Sequence, residues 1–95
     1  EKEDKILADR FMLLFKEAGE MKNMNPASGD AQNLVKRIQE YITQNLYTCT
    51  NKILRGLGKM YSGGGDITTN IDAYGGEGTA IFVANAIEIY CDNAE

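Results

Sequence analysis

The stretch Thr48-Cys49-Thr50-Asn51-Lys52-Ile53-Leu54-Arg55-Gly56-Leu57-Gly58-Lys59-Met60-Tyr61 decides how this chain folds. Thr50 offers a hydroxyl to the unsatisfied N–H groups of a first helical turn, so a helix starts there. Ile53, Leu54, Leu57, Met60 and Tyr61 then recur at three- and four-residue spacing, which makes one apolar stripe. Gly56 and Gly58 interrupt it, each costing about 1 kcal/mol relative to alanine. Two such costs in one helix point to close approach there, by another backbone or by a ligand.

Outward from this helix the pattern stays helical. Upstream, Ile6, Leu7, Phe11, Leu14, Phe15 and Ala18 form the stripe of a first helix over residues 2–20. Pro26 ends its loop, because the residue before a proline, Asn25, is pushed out of the helical region. Ser28 or Asp30 caps a second helix, with Leu34, Val35, Ile38, Tyr41 and Ile42 on its buried face and Leu46 near its end. Lys36 and Glu40 are spaced to pair on its surface. Downstream, Ser62-Gly63-Gly64-Gly65 is a turn. Asp66 is placed to cap a fourth helix over residues 67–74, anchored by Ile71, and Gly75 or Gly76 supplies the left-handed position that ends it. A fifth helix runs from about residue 78 to residue 91. Ala80, Val83, Ala84 and Ile87 face one way, while Ile81, Phe82, Ala86 and Ile89 widen the stripe until it nearly encircles the helix. Such a helix is central to a core or lines a cavity. Five short helices with short links give an all-α fold.

Ninety-five residues make one domain, and 43% hydrophobic with 25% charged residues is a globular composition. The net charge of -4 argues against nucleic-acid contact by this segment, since phosphate binding needs clustered cations. No apolar run approaches the roughly 20 residues of a membrane span. Histidine is absent and the two cysteines, Cys49 and Cys91, stand far apart. No metal cluster or CxxC motif is therefore expected. Glu17 and Glu20 fall on a solvated face with no nucleophile or base nearby, so no catalytic residues are assigned.

Three blocks in order carry a resemblance: Leu54-Arg55-Gly56-Leu57-Gly58-Lys59-Met60-Tyr61; Asn70-Ile71-Asp72-Ala73-Tyr74-Gly75; and Gly76-Glu77-Gly78 followed by Ala86-Ile87-Glu88-Ile89-Tyr90-Cys91. Together they resemble the TipA-type antibiotic-recognition (TipAS) domain of MerR-family transcriptional activators. The close likeness covers residues 47–91; residues 4–46 agree in helix layout. The resemblance implies a globin-like arrangement of crossed helices without haem. It implies an effector-binding role for hydrophobic antibiotics or thiopeptides, and needs no cofactor. It also implies a cytoplasmic regulator, homodimeric when whole, whose DNA contacts lie in an N-terminal domain outside this chain. The family domain usually carries further residues before the point where this chain starts, which implies a trimmed or shortened domain.

The candidate ligand-binding residues are Tyr47, Cys49, Ile53, Gly56, Leu57, Met60, Tyr61, Asn70, Tyr74 and Phe82. The aromatic and methionine side chains either line an apolar pocket or pack the core. Tyr47, Tyr61 and Tyr74 stand at helix ends, where a hydroxyl reaches a ligand or solvent. Cys49 lies just before a helix N-terminus, whose dipole favours a thiolate. Some family members capture a thiopeptide through a cysteine that attacks a dehydroalanine, and that position corresponds to Gly56 here, which favours non-covalent binding. Asn70 and Asp72 either bond a peptide-like ligand or cap neighbouring turns. Two rivals remain: a stand-alone antibiotic-sequestering protein, and a helical protein-interaction domain without ligand.

Overall fold

The computed structural model describes residues 2–94. Its five helices are α1 (Lys2–Met21), α2 (Gly29–Asn45), α3 (Asn51–Tyr61), α4 (Asp66–Gly75) and α5 (Thr79–Ala94). No strand occurs among the described residues, so the fold is all-α. No helix is long and apolar enough to cross a membrane.

The starts of α2 and α3 are set as the sequence dictates. Ser28 Oγ accepts from the Ala31 N–H at 3.3 Å, and Thr50 Oγ1 accepts from the Ile53 N–H at 3.2 Å. The start of α4 differs. Gly65 occupies the cap, and Asp66 is the first helical residue with no capping bond of its own. Thr68 organises this turn instead: its hydroxyl donates to the Tyr61 carbonyl at 2.7 Å and accepts from the Gly64 N–H at 2.9 Å. Gly76, not Gly75, carries the positive φ of +99° that ends α4. Asp72 then starts α5, its Oδ1 accepting from the Ala80 N–H at 2.9 Å and its Oδ2 from the Gly78 N–H at 3.4 Å. A carboxylate from the preceding helix thus does the work of a cap.

Helix α5 is the hub, packed against each of the other four. Ala80, Phe82, Val83, Ala86, Ile87 and Cys91 are buried, and Thr79 is buried with its hydroxyl donating to the Gly76 carbonyl at 2.6 Å. The apolar stripe stops short of encircling it, since Ile81 is 57% exposed. From α1 the core takes Leu14, Phe15 and Ala18, whereas Ile6 lies outside it, about half exposed. Gln32 ties the α1–α2 loop to α5 by donating to the Pro26 and Ala86 carbonyls at 2.8 and 3.0 Å.

Backbones approach closely at two places. A Cβ on Gly58 would stand 3.0 Å from Ile87 Cγ2, so α3 settles onto α5 there. Gly56 meets nothing within 4 Å and serves no such contact. The tighter place joins α1 to α4. A Cβ on Gly19 would overlap the Gly75 carbonyl, and one on Gly75 would stand 2.7 Å from the Phe15 carbonyl. The ion pairs are peripheral. Arg37 grips Glu17 through two bonds of 2.9 Å, and its guanidinium holds the Glu17 carboxyl below the usual carboxylate range. Arg55 joins α3 to α5 through Glu88 and, at 2.8 Å, Asp92. Lys36 and Glu40 form no ion pair with each other.

The same substitution at two helical glycines should therefore have opposite signs. Gly19→Ala forces two backbones apart and should destabilise by about 3 kcal/mol, whereas Gly56→Ala should stabilise by about 1 kcal/mol. Urea unfolding measures both, and a neutral Gly19→Ala would show that the α1–α4 approach is not a constraint.

Candidate functional site

Helix α3 presents two apolar faces. At about 100° per residue, Gly58 points at α5, Leu54 and Tyr61 at the core, Leu57 at the core's edge, and Ile53, Met60 and Gly56 outward. Leu54 and Tyr61 are buried, while Ile53 is 40% and Met60 56% exposed. Large apolar side chains on an outward face mark a contact surface when they are contiguous, as three- and four-residue spacing makes them here.

The core face of α3 meets α1 through aromatic rings. Tyr61 and Phe15 touch edge to face at 5.3 Å, Phe15 and Phe11 likewise at 5.2 Å, and Phe11 stacks on Tyr41 at 5.6 Å. This row runs from α3 across α1 to α2. The Phe15–Tyr61 contact joins α1 to α3 within the core. At the far end of the row lies an apolar cavity of about 320 Å³, lined by Leu7, Ala8, Phe11, Tyr41 and Leu46. This cavity is a groove between α1 and the end of α2. Tyr41 closes the α1–α2 side, its hydroxyl donating to the Leu7 carbonyl at 2.7 Å.

Tyr61 brings a polar group to this aromatic row. Its ring is 97% buried by the 3% exposure of the residue. No described residue bonds its hydroxyl, yet no wholly buried side-chain polar atom lacks a partner, so the hydroxyl keeps a small exposed area. Burial pushes the phenol's pKa well above its ordinary value, and Tyr47 and Cys49 nearby add to the shift. The group is a neutral donor at any physiological pH, ready for an acceptor such as an amide carbonyl.

The sequence-derived candidates separate accordingly. Ile53, Gly56, Leu57, Met60 and Tyr61 share α3, and Tyr47 stands by Tyr61 at the end of the α2–α3 link, about half exposed. A side chain at position 56 would extend into open space beside Ile53 and Met60. Cys49 and Phe82 are core residues. The dipole argument for a Cys49 thiolate is overturned, because burial, and then Cys91, pushes that thiol up. Asn70 and Tyr74 lie exposed on α4 and no contact brings them to the groove. The groove lining of Leu7, Ala8 and Leu46 was not among the candidates. Its only sequence signal is that the α1 stripe extends further toward the N-terminus than α1's core partners need.

The profile of the TipAS antibiotic-recognition domain matches residues 1–90, nearly the whole chain. The chain belongs to the TipAS family. It is also 38% identical over 90 residues to the HTH-type transcriptional activator mta of Bacillus subtilis (strain 168). That match takes in 95% of this chain but 34% of the activator, so the chain spans about a third of its relative's length. No solved structure matches. The apolar groove between α1 and the end of α2 is concave and lined by apolar and aromatic side chains. No nucleophile with an adjacent base accompanies it among the described residues.

The buried Tyr61 phenol gives the domain a pH signature. Its folded pKa lies above the unfolded value of about 10, so between the two the unfolded chain binds fewer protons than the folded one. The stabilising contribution is complete below pH ~10 and is lost as pH rises toward the folded pKa. Stability should fall above that pH, and Tyr61→Phe should remove part of the fall while changing neutral-pH stability by less than about 0.5 kcal/mol. Unfolding curves at neutral and alkaline pH check both statements; an alkaline fall unchanged by Tyr61→Phe would reject this origin for it.

Proposed function

We propose that this TipAS domain is the effector-binding module of a MerR-family transcriptional regulator. Its ligands are thiopeptide-like or other hydrophobic antibiotics, held without a covalent bond. One observation carries the reading: an apolar groove of about 320 Å³ between α1 and the end of α2 lies at the end of an aromatic row that reaches α3 at Tyr61, whose hydroxyl no described residue bonds. Apolar walls take ring systems or methyl groups, and the phenol donates to a peptide-like carbonyl. The likeness to an HTH-type activator supports a regulator, with DNA bound by a separate N-terminal domain and a homodimer formed outside this segment. The acidic balance of this chain agrees with leaving DNA to that other domain. The whole protein then acts in the cytoplasm, and the domain binds rather than catalyses.

The mechanism is a shift of population. The first half of α1 is lightly held, with Ile6 about half exposed, whereas α3 is seated on the α5 hub. A ligand lying on α3 and reaching the Leu7–Phe11–Tyr41 cavity bonds both walls in the closed state only. It therefore favours closure by the difference between its affinities for the two states. The closed module then transmits a changed orientation to the segments that precede it.

Calorimetry with thiostrepton tests this. Saturable binding with a negative heat-capacity change is expected. Leu57→Asp should weaken it by about tenfold or more, because a carboxylate would be desolvated against apolar surface. Gly56→Cys should convert binding into addition. Its thiolate adds across the dehydroalanine double bond and the carbanion takes a proton, so the product mass is the sum of protein and antibiotic. No heat at several temperatures, with no adduct on Gly56→Cys, would overturn the ligand class; binding unaffected by Leu57→Asp would overturn the site.

A further inference from the structure

Away from the groove, two sulfurs converge on the first turn of α3. Cys91, near the end of α5, donates through Sγ to the Asn51 carbonyl at 3.4 Å. Cys49, two residues before α3, places its Sγ 3.9 Å from the Thr50 carbonyl. The two thiols thus sit at successive carbonyls, 42 positions apart in the chain, and neither is in a disulfide. We propose that Cys49 and Cys91 form an oxidisable dithiol, which closes a disulfide pinning the α2–α3 link to α5.

Three observations support this beyond proximity. First, Cys49 belongs to a non-helical link, residues 48–50, so its Cα is not held in a helical ladder. Side chains hold it instead: its N–H donates to Thr43 Oγ1 at 3.1 Å, and its carbonyl accepts from Gln39 Nε2 at 2.9 Å. Disulfide geometry is narrow, with Cβ atoms about 3.8 Å apart, and such a link adjusts where two packed helices would not. Second, each sulfur borders its own opening. Cys91 joins Asn51, Lys52 and Arg55 around about 250 Å³, and Cys49 joins Gln39, Glu40, Thr43 and Gln44 around about 210 Å³. Both residues are buried, so an oxidant reaches them from these openings only by small local movement. Third, Cys91 contributes to the upward shift of the Cys49 thiol, which places the two within electrostatic reach.

The oxidant is a hydroperoxide. The Cys91 sulfur attacks the distal oxygen, the O–O bond breaks, and a sulfenic acid forms as hydroxide leaves and takes the thiol proton to become water. The Cys49 sulfur then attacks the sulfenic sulfur, the S–O bond breaks, and a second water leaves with the Cys49 proton. Two thiols lose two electrons in all, and hydrogen peroxide is reduced to two waters. The new bond fixes the link that carries Leu46 and Tyr47, so one wall of the groove loses freedom.

The test uses no antibiotic and stands or falls independently of the groove. Reduced protein is treated with hydrogen peroxide without denaturant, alkylated in denaturant, and weighed intact and after digestion. The expected monomer has lost two hydrogens, takes no alkyl group, and yields one peptide pair joining residues 49 and 91. Its thermal midpoint is raised, and dithiothreitol reverses both changes. Cys49→Ser and Cys91→Ser should each leave one alkylatable or overoxidised thiol and no cross-link; Cys49→Ala and Cys91→Ala replace them if a buried hydroxyl prevents folding. A monomer that keeps two alkylatable thiols, or gains only oxygen atoms, or cross-links between chains, overturns the proposal.

Discussion

The contact between Gly19 and Gly75 is the constraint on which the rest of this domain depends. Two helices lie backbone against backbone there, in a space that admits no β-carbon. Such an approach brings the Phe15 carbonyl next to Gly75 and so sets how deep α1 lies. With α1 at that depth, the Phe15 ring meets Tyr61 edge to face and Ala18 is wholly buried. A single methyl at either glycine would lift α1, and close-packed interiors transmit such a displacement rather than absorb it. The aromatic row is thus placed by two residues that are not part of it.

The two faces of α3 show how one short helix both packs on the core and leaves an apolar surface uncovered. Gly58, Leu54 and Tyr61 meet Ile87 and Phe15, and this contact is insulated from water. Ile53, Leu57 and Met60 add an apolar surface that folding leaves at least partly uncovered. The glycines in this helix have opposite meanings. Gly58 is small because α5 is near, whereas Gly56 is small with nothing near, in the middle of the uncovered face. Its cost to the helix has no structural return within the domain.

Much of this architecture was legible in the sequence, and the failures have particular physical causes. All five helices, the Ser28 and Thr50 caps and the core of α5 follow from local rules, because periodicity and capping involve neighbours in the chain. Asp66 matched the cap pattern but lost the position to Gly65, since Thr68 already ties the turn to the Tyr61 carbonyl. Cys49 matched the pattern of an activated thiol, but desolvation, which is a tertiary quantity, outweighed the dipole. Gly19 gave no warning beyond being a glycine in a helix, because its partner lies 56 positions away. Within the candidate site, the α3 face was readable as a stripe. The wall of Leu7, Ala8 and Leu46 was not, because only the tertiary fold brings residues 7 and 46 together.

The central place of α5 also governs when the domain can fold. Every other helix packs on this last element, which ends at Ala94. A chain emerging from the ribosome at about 5–20 residues per second therefore holds the apolar stripes of α1 to α4 without their common partner until α5 has emerged. Loop closure between distant segments must precede most of the hydrophobic gain. The nascent domain is thus an obligate late folder, and it exposes Phe15, Ile38 and Leu54 to chaperones before it buries them.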